Sequence, residues 1–192
     1  LDSKARRSAQ TVMFDSLVAL VKMVSPVLSF TAEEIWAAMP AIARDADSVH
    51  LSSWYVENPE FINAELDAKW DKIIKLRKEV NKVLEKARQG ENRIIGNSLD
   101  AEVSLFIGND EYKSLLADKE LLEMIFIISK LNIVETKDDS FTESEELKDI
   151  SIKVAHATGE KCERCWKYSE ELGTHEEHST ICPRCTGVLV NN

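Results

Sequence analysis

The 192-residue sequence has no apolar run long enough to cross a membrane. Its apolar runs, of which residues 17–21 and 125–128 are examples, are far shorter than the ~20 residues that a bilayer-spanning helix needs. A signal peptide pattern is also missing, and without an export signal the thiols are expected to be reduced. These absences predict a cytoplasmic protein with no membrane partner. The first residue is Leu1 rather than Met, and a helical pattern follows at once, which suggests a piece of a longer protein.

A surplus of positive charge is missing as well. The chain has 24 basic and 34 acidic side chains, a net charge of −10, which argues against nucleic-acid binding through overall charge. The charge is uneven: residues 69–93 hold nine basic and four acidic residues, and residues 133–150 hold two basic and seven acidic ones. RNA contacts are therefore expected only from local patches. The lysines of the first region fit either a surface that attracts phosphate or a solvated helix face with i,i+4 pairs.

The sequence also lacks the common catalytic patterns. It has no glycine-rich phosphate loop, no nucleophile elbow and no pair of buried carboxylates. The segment from His175 to His178 is one residue too short for the metalloprotease motif HExxH, which needs histidines at i,i+4. We therefore expect no catalytic residue in this chain.

Four cysteines lie near the end of the chain in two CxxC pairs with sixteen residues between the pairs. They are Cys162, Cys165, Cys182 and Cys185. This spacing predicts one zinc ion held by four thiolates, and such a closed site is structural because no coordination position is open. The alternatives are disulfides, which suit a secreted protein, and a redox CxxC, which needs a single pair in a βαβ context. His175 and His178 are candidate replacement ligands, although with four thiolates available we expect them to face solvent.

Hydrophobic periodicity predicts an α+β fold with a helical-bundle segment, a small α/β region and a four-cysteine module resembling a zinc ribbon. Helices are predicted over residues 3–24, from a Thr31 cap to Pro40, over 61–88 and over 109–130, and strands over 101–107, 131–135 and 152–155. Thr31 and Glu34 fit a capping box. Trp54 and Tyr55 are expected to pack on the bundle, and the acidic residues 135–149 are expected to form a loop or linker.

Several segments resemble one family. Residues 159–166 (GEKCERCW) and 181–185 (ICPRC) closely resemble the C-terminal zinc finger of bacterial isoleucyl-tRNA synthetases. Residues 6–11 and 25–36 resemble the helical anticodon-binding domain of class I synthetases. Residues 95–101 and 123–129 resemble the small α/β region that follows that domain in the family. The helical motif of residues 25–36 would also suit the valine enzymes. The four-cysteine stretch of residues 159–185, called the zinc segment below, favours the isoleucine enzymes.

The resemblance runs over essentially the whole chain and implies three domains. Residues 1–60 are expected to be the C-terminal half of the helical anticodon-binding domain. Residues 61–150 are expected to form a long helix and a small α/β connector domain, and residues 151–192 a zinc-binding module.

The resemblance also implies a function, which is to hold the anticodon region of isoleucine tRNA. In that family, the arginine inside the first cysteine pair and the tryptophan just after it contact anticodon-region nucleotides, and these are Arg164 and Trp166 here. A tryptophan beside a rigid metal turn is a preorganised surface on which an unstacked base can stack. An arginine can bind phosphate or a base edge through two hydrogen bonds. Lys161, Lys167 and Arg184 are weaker candidates for phosphate contacts.

The resemblance implies a second partner, the remainder of the synthetase, which carries the ATP-dependent chemistry and the editing site. The whole enzyme is expected to be a monomer and to bind no DNA. Two alternatives stay open. One is a stand-alone zinc module that binds DNA or protein, as in glycosylases with a related zinc finger, which would not carry the segment 25–36. The other is a structural zinc module without RNA contact, in which Trp166 packs over the metal site.

Overall fold

The computed structural model of the protein describes residues 3–90 and 93–190 and contains two compact units, with their boundary between Ile62 and Asn63. It mixes helices with β-sheets, which confirms the predicted α+β class. Within the described residues, none of the helices has the length and apolar character to cross a membrane. The division into three domains stays a prediction.

The first unit is helical and is built around one buried tryptophan. Helix α1 runs over Lys4–Val24 and α2 over Ser29–Ala38, followed by 3-10 turns over Ala41–Ala43, Val49–Leu51 and Pro59–Phe61. Trp36 is fully buried, and its indole N–H donates to the carbonyl of Ala46 over 2.9 Å. Val21, Ala32, Met39 and Val49 complete this core. The apolar spacing of α1 and α2 therefore buries the faces that meet at Trp36.

Two expectations for the first unit are wrong. Helix α2 begins at Ser29, because the N–H groups of Val27 and Leu28 both donate to the carbonyl of Val24 and turn the chain early. Thr31 therefore lies inside the helix and cannot cap it. Trp54 was expected to pack on the bundle, yet 64% of its surface is exposed, whereas Tyr55 is half-buried.

The second unit is a helix-covered sheet followed by the cysteine-bearing segment. Its elements are α3 (Ala64–Arg88), β1 (Ala101–Ile107), α4 (Asp110–Lys113), α5 (Lys119–Phe126), β2 (Lys130–Val134), β3 (Thr142–Glu143), β4 (Ile150–His156), β5 (Glu160–Lys161), β6 (Tyr168–Ser169) and α6 (Pro183–Val190). The four-stranded sheet has the order β2-β1-β4-β3, and β5 pairs with β6. Strand β1 is parallel to β2 and antiparallel to β4.

Alternate residues of β1 form the core of the second unit, as their spacing predicted. Val103 and Leu105 are fully buried and pack in one cluster with Ile73, Leu76 and Val80 of α3. Ile74 lies next to Ile73 in the sequence but faces away from this core, with 58% of its surface exposed.

The predicted helix over residues 109–130 is interrupted twice. A 3-10 turn over Ser114–Asp118 separates α4 from α5, and α5 ends at Phe126. Ile127 adopts a left-handed conformation with φ of 57°, so that its N–H and that of Ile128 close the helix end on the carbonyls of Met124 and Glu123. After this change of direction the chain forms β2, which pairs with β1 at the edge of the sheet. The acidic segment 135–149 also contributes β3 to the sheet.

Candidate zinc centre and RNA-facing surface

The four cysteines converge on one point, with all four Sγ atoms within 4.8 Å of one another. The Sγ atoms of Cys165 and Cys182 are 3.7 Å apart. A tetrahedron with Zn–S bonds of 2.3 Å has an edge of about 3.8 Å, so the sulfurs have the spacing that a zinc ion requires. Cys162, Cys182 and Cys185 are buried, and Cys165 is half-buried. The residues present therefore fit one zinc ion in a closed, four-thiolate site.

The surroundings of the cluster also suit thiolates that are bound to a cation. Burial acts to raise the pKa of the Cys162 thiol, but backbone N–H donors from Cys165, Cys182 and Arg164 outweigh it and lower that pKa to about 6. One of these donors is the N–H of Cys182, 3.3 Å from the Cys162 Sγ. Burial raises the pKa of the Cys165 thiol to about 12 and also raises that of Cys182. A bound metal ion removes this penalty, because a coordinated thiol is deprotonated.

The turn that carries the first cysteine pair presents Trp166 to solvent. The N–H of Trp166 donates to the carbonyl of Cys162 over 2.8 Å, and the N–H of Cys162 donates to the carbonyl of Lys167 over 2.9 Å. Between these two bonds, Trp166 adopts a left-handed conformation with φ of 65° and leaves 60% of its surface exposed. A large residue in this conformation costs about 1–2 kcal/mol, so the surrounding turn must hold it there.

A close backbone contact fixes the hairpin on which this turn is mounted. Gly159 has φ of +89°, and a Cβ added there would lie 2.4 Å from the carbonyl carbon and oxygen of Ser169. Only glycine fits this position. It starts the hairpin of β5 and β6, whose two strands flank the first cysteine pair.

The zinc segment is attached to the sheet through Ser129 and Asp100. The Ser129 hydroxyl accepts a hydrogen bond from the N–H of Tyr168 over 2.7 Å and donates to the carbonyl of Leu99. The carbonyl of Asp100 accepts from the N–H of Ala157 over 2.7 Å, and its carboxylate lies 3.7 Å from the ammonium of Lys161. These bonds set the position, relative to β1, of the turn over residues 162–167, which is called the zinc turn below. Sequence reasoning singled out neither Ser129 nor Asp100 for this role, because serine and aspartate at such positions carry no distinctive spacing.

The five candidate RNA-binding residues all belong to the zinc segment but differ in their availability. Arg164, Trp166 and Arg184 are exposed and Lys167 is half-buried. Lys161 faces Asp100 and lies 6.0 Å from the centre of the Tyr168 ring. Within residues 3–90 and 93–190, Arg164, Lys167 and Arg184 form no ion pair. Their role in RNA binding is taken up below as a proposal.

His175 and His178 lie outside the sulfur cluster. The rings of the two histidines stack on each other with centroids 5.4 Å apart. Among the described residues, the four cysteines alone form a group that could hold a metal ion. Both histidines are half-buried, so the expectation that they face solvent is wrong. The stacking of the two rings accounts for their partial burial.

The lysines of α3 are paired with acidic residues of the same unit. Lys78 lies 2.9 Å from Glu146, Lys82 lies 3.3 Å from Glu145 and 3.1 Å from Glu146, and Lys86 lies 3.7 Å from Glu145. The segment expected to be a linker thus covers the basic stripe of the helix. These three lysines are neutralised within the molecule, which neither interpretation of the sequence described, whereas Lys75 of the same helix is exposed and forms no ion pair within residues 3–90 and 93–190.

Two family models match separate stretches of the chain, and the first of them extends across the boundary between the two compact units. Residues 1–105 match the anticodon-binding domain of tRNA ligases, and residues 159–186 match the zinc finger found in FPG and IleRS. The first match covers more than half of the 192 residues, so the chain belongs to the anticodon-binding domain family of tRNA ligases. The second match contains all four cysteines and, with their clustering, supports one structural zinc ion.

Several curated proteins that are similar to this chain are isoleucine–tRNA ligases. The chain is 43% identical over 189 residues to the enzyme of Desulforamulus reducens, covering 97% of this chain and 20% of the relative. It is 41% identical over 189 residues to that of Kosmotoga olearia, covering 97% and 20%, and 42% identical over 191 residues to that of Thermotoga petrophila, covering 98% and 20%. The resemblance to this family is therefore confirmed. The chain spans about a fifth of the length of these relatives.

Proposed function

We propose that this chain is the tRNA-binding part of an isoleucine–tRNA ligase and holds the anticodon region of isoleucine tRNA. The relatives' name and the match to an anticodon-binding domain support the proposal. The observation that carries it is Trp166, a mostly exposed aromatic ring held in a left-handed conformation by a metal-bearing turn. Arg164 is exposed within that turn and Lys167 follows the ring, so cations flank a flat stacking surface.

The mechanism is one of positioning. In this proposal, an unstacked base of the anticodon region stacks on Trp166 while Arg164 binds a phosphate or base edge, and Lys161, Lys167 and Arg184 contribute charge toward the backbone. Zinc, when bound, holds the two cysteine turns together. The ATP-dependent attachment of isoleucine is assigned to other parts of the synthetase, and a fixed anticodon lets the distant acceptor end reach them.

The remaining partner in the proposal is the rest of the synthetase. Helix α1 exposes large apolar side chains, among them Met13 at 71% and Val12 at 64%, and the first turn of α2 exposes Phe30 at 89%. Such a face suits packing against further helices. A monomeric enzyme in the cytoplasm stays our expectation from the sequence.

The structural alternative is a zinc module in which Trp166 packs over the metal site. The partly buried apolar residues packed against the cysteine cluster are Leu172 and Ile181, together with Cys165. Trp166, at 60% exposure, is a poor candidate for such packing. This supports the RNA-binding role over the structural one.

The test is tRNA binding by Trp166→Ala in the zinc-loaded chain at fixed salt. Loss of one stacked base corresponds to about 1–3 kcal/mol, so Kd for isoleucine tRNA should rise about five- to 150-fold. The variant's zinc content and unfolding midpoint should match the wild type, because the ring is mostly exposed. Unchanged affinity in a folded variant would leave the structural alternative standing.

Zinc removal provides the companion measurement. A chelator should abolish the cognate affinity and release the zinc segment from its fold, since the ion supplies the folding energy of such a segment. A transcript with a changed anticodon should bind more weakly than the cognate one. Equal, salt-sensitive binding of both transcripts, with or without zinc, would argue for purely electrostatic support.

A further inference from the structure

A groove of about 820 Å³ lies between α5 and the zinc segment. Residues of α5 and Ile127 line one side, and Lys167 and Arg184 line the other. Lys167 directly follows Trp166 in the chain, so the turn that carries the exposed indole ring also supplies one residue of the groove. Both walls belong to the second compact unit.

The α5 side of the groove is apolar and open to solvent. Met124 is 63% exposed and Ile127 is 48% exposed, and the half-buried Leu99 and Leu121 lie beside them. Ile127 is held at φ of 57°, a conformation that a β-branched residue rarely adopts. An exposed apolar surface that includes a strained residue is costly for a soluble protein unless it contacts something else.

The opposite side of the groove is cationic. Neither Lys167 nor Arg184 occurs among the ion pairs of the described residues, in contrast to the paired lysines of α3. Acidic groups are confined to the α5 side, where the Glu123 carboxylate already accepts a hydrogen bond from the N–H of Leu131 over 3.1 Å. Glu120 is exposed at the groove. The two sides therefore differ in both polarity and charge.

We propose that this groove binds a single nucleotide of the anticodon region, next to the one stacked on Trp166. Its base lies on Met124 and Ile127, and its phosphate lies between Lys167 and Arg184. The carboxylate of Glu120 accepts a hydrogen bond from an exocyclic amino group, which disfavours uracil because uracil has no such group. The inference rests on the proposed function and deepens it, since it gives the zinc turn and α5 a shared binding surface for splayed-out bases.

The first test uses an RNA stem-loop with the anticodon arm of an isoleucine tRNA and the zinc-loaded chain. Met124→Gln removes apolar contact with the base, and we expect about a three- to tenfold rise in Kd. Met23→Gln is the matched control, because Met23 is also an exposed helical methionine, at 58%, and lies in the first compact unit. Its Kd should stay within about twofold of the wild type. Equal losses in the two variants would overturn the groove proposal.

Trp166→Ala separates the groove from the proposed function. If Trp166→Ala weakens binding and Met124→Gln does not, the groove proposal is wrong while the proposed function stands. If Met124→Gln alone weakens binding, the groove stands without the stacked base on Trp166. If the wild-type chain does not bind the stem-loop, both proposals fail.

Photocross-linking gives a second, independent readout. The stem-loop carries 4-thiouridine at one loop position at a time, and trypsin cleavage after Lys119 and Lys130 releases residues 120–130 as one peptide. We expect at least one loop position to cross-link to this peptide, and Met124→Gln to lower that yield. Cross-links confined to other peptides would overturn the proposal.

Discussion

At the scale of single residues, the zinc turn depends on a backbone position that only glycine can occupy. Gly159 combines φ of +89° with a 2.4 Å approach of its Cβ position to the backbone of Ser169. We predict that Gly159→Ala forces β5 away from β6 and loosens the first cysteine pair. Affinity for zinc, measured by competition with a chromophoric chelator, should fall about tenfold or more, since left-handed strain alone costs about 1–2 kcal/mol.

Gly187→Ala is the matched control for this prediction. Gly187 lies in α6, the helix that carries Cys185, and a Cβ there would meet nothing within 4 Å. Alanine should leave zinc affinity unchanged and stabilise the helix by about 0.5–1 kcal/mol. Equal zinc affinities for the Gly159 and Gly187 variants would contradict the structural reason given for the hairpin glycine.

At the scale of elements, Glu79 joins helix α3 to the acidic segment. Its carboxylate is 2% exposed and accepts hydrogen bonds from the Ser144 hydroxyl and from the N–H groups of Glu145 and Glu146, at 2.6, 2.8 and 3.3 Å. Burial acts to raise its pKa, but these donors and the ammonium of Lys82 outweigh burial and lower the pKa to about 2 from its ordinary 4.5. The ionised form therefore stabilises the folded state.

The sign of this shift predicts how Glu79→Gln changes stability with pH. Because the folded-state pKa lies below the ordinary value, the contribution of Glu79 is complete above about pH 4.5 and is lost as pH falls through about 2. At neutral pH the variant should unfold about 1–3 kcal/mol more easily, and the difference from wild type should shrink toward pH 2. Urea unfolding across this range measures it.

Glu85→Gln serves as the control on the same helix. Glu85 is exposed and pairs with Arg88 over 2.8 Å, an interaction that contributes about 0–1 kcal/mol at a surface. Its effect should be small at every pH. A pH-independent difference between wild type and Glu79→Gln would show that the carboxylate charge plays no part in holding the acidic segment.

Elements with a clear period or spacing were predictable from the sequence, and elements closed by long-range bonds were not. The alternation of Val103 and Leu105 predicted β1 with its correct bounds, and the CxxC spacing predicted the sulfur cluster. Nothing local marks Ile127 as a helix end, because an apolar β-branched residue is not a usual left-handed cap. The burial of Glu79 depends on donors some 65 residues away, beyond the reach of a periodicity argument.

At the scale of the whole molecule, charge pairing leaves some cations neutralised and others free to bind an anion. The chain carries a net charge of −10, and Lys78, Lys82 and Lys86 of α3 are neutralised by Glu145 and Glu146. In the zinc segment Lys161 is paired with Asp100, whereas Arg164, Lys167 and Arg184 form no ion pair among the described residues. If the proposed function is correct, we expect the acidic segment to direct RNA away from the paired lysines of α3 and toward the zinc turn.

Removing that neutralisation should create a second, non-specific RNA-binding surface. We predict that Glu145→Gln with Glu146→Gln strengthens binding of a non-cognate RNA at low salt and steepens the decline of affinity with salt, by about one unit of slope for each phosphate newly contacted. Glu57→Gln with Glu60→Gln changes the net charge equally in the first unit and is the control. Because the newly exposed lysines contact phosphate rather than bases, the preference for the cognate anticodon should fall. The same gain in both double variants would mean that net charge alone, and not the pairing on α3, governs non-specific binding.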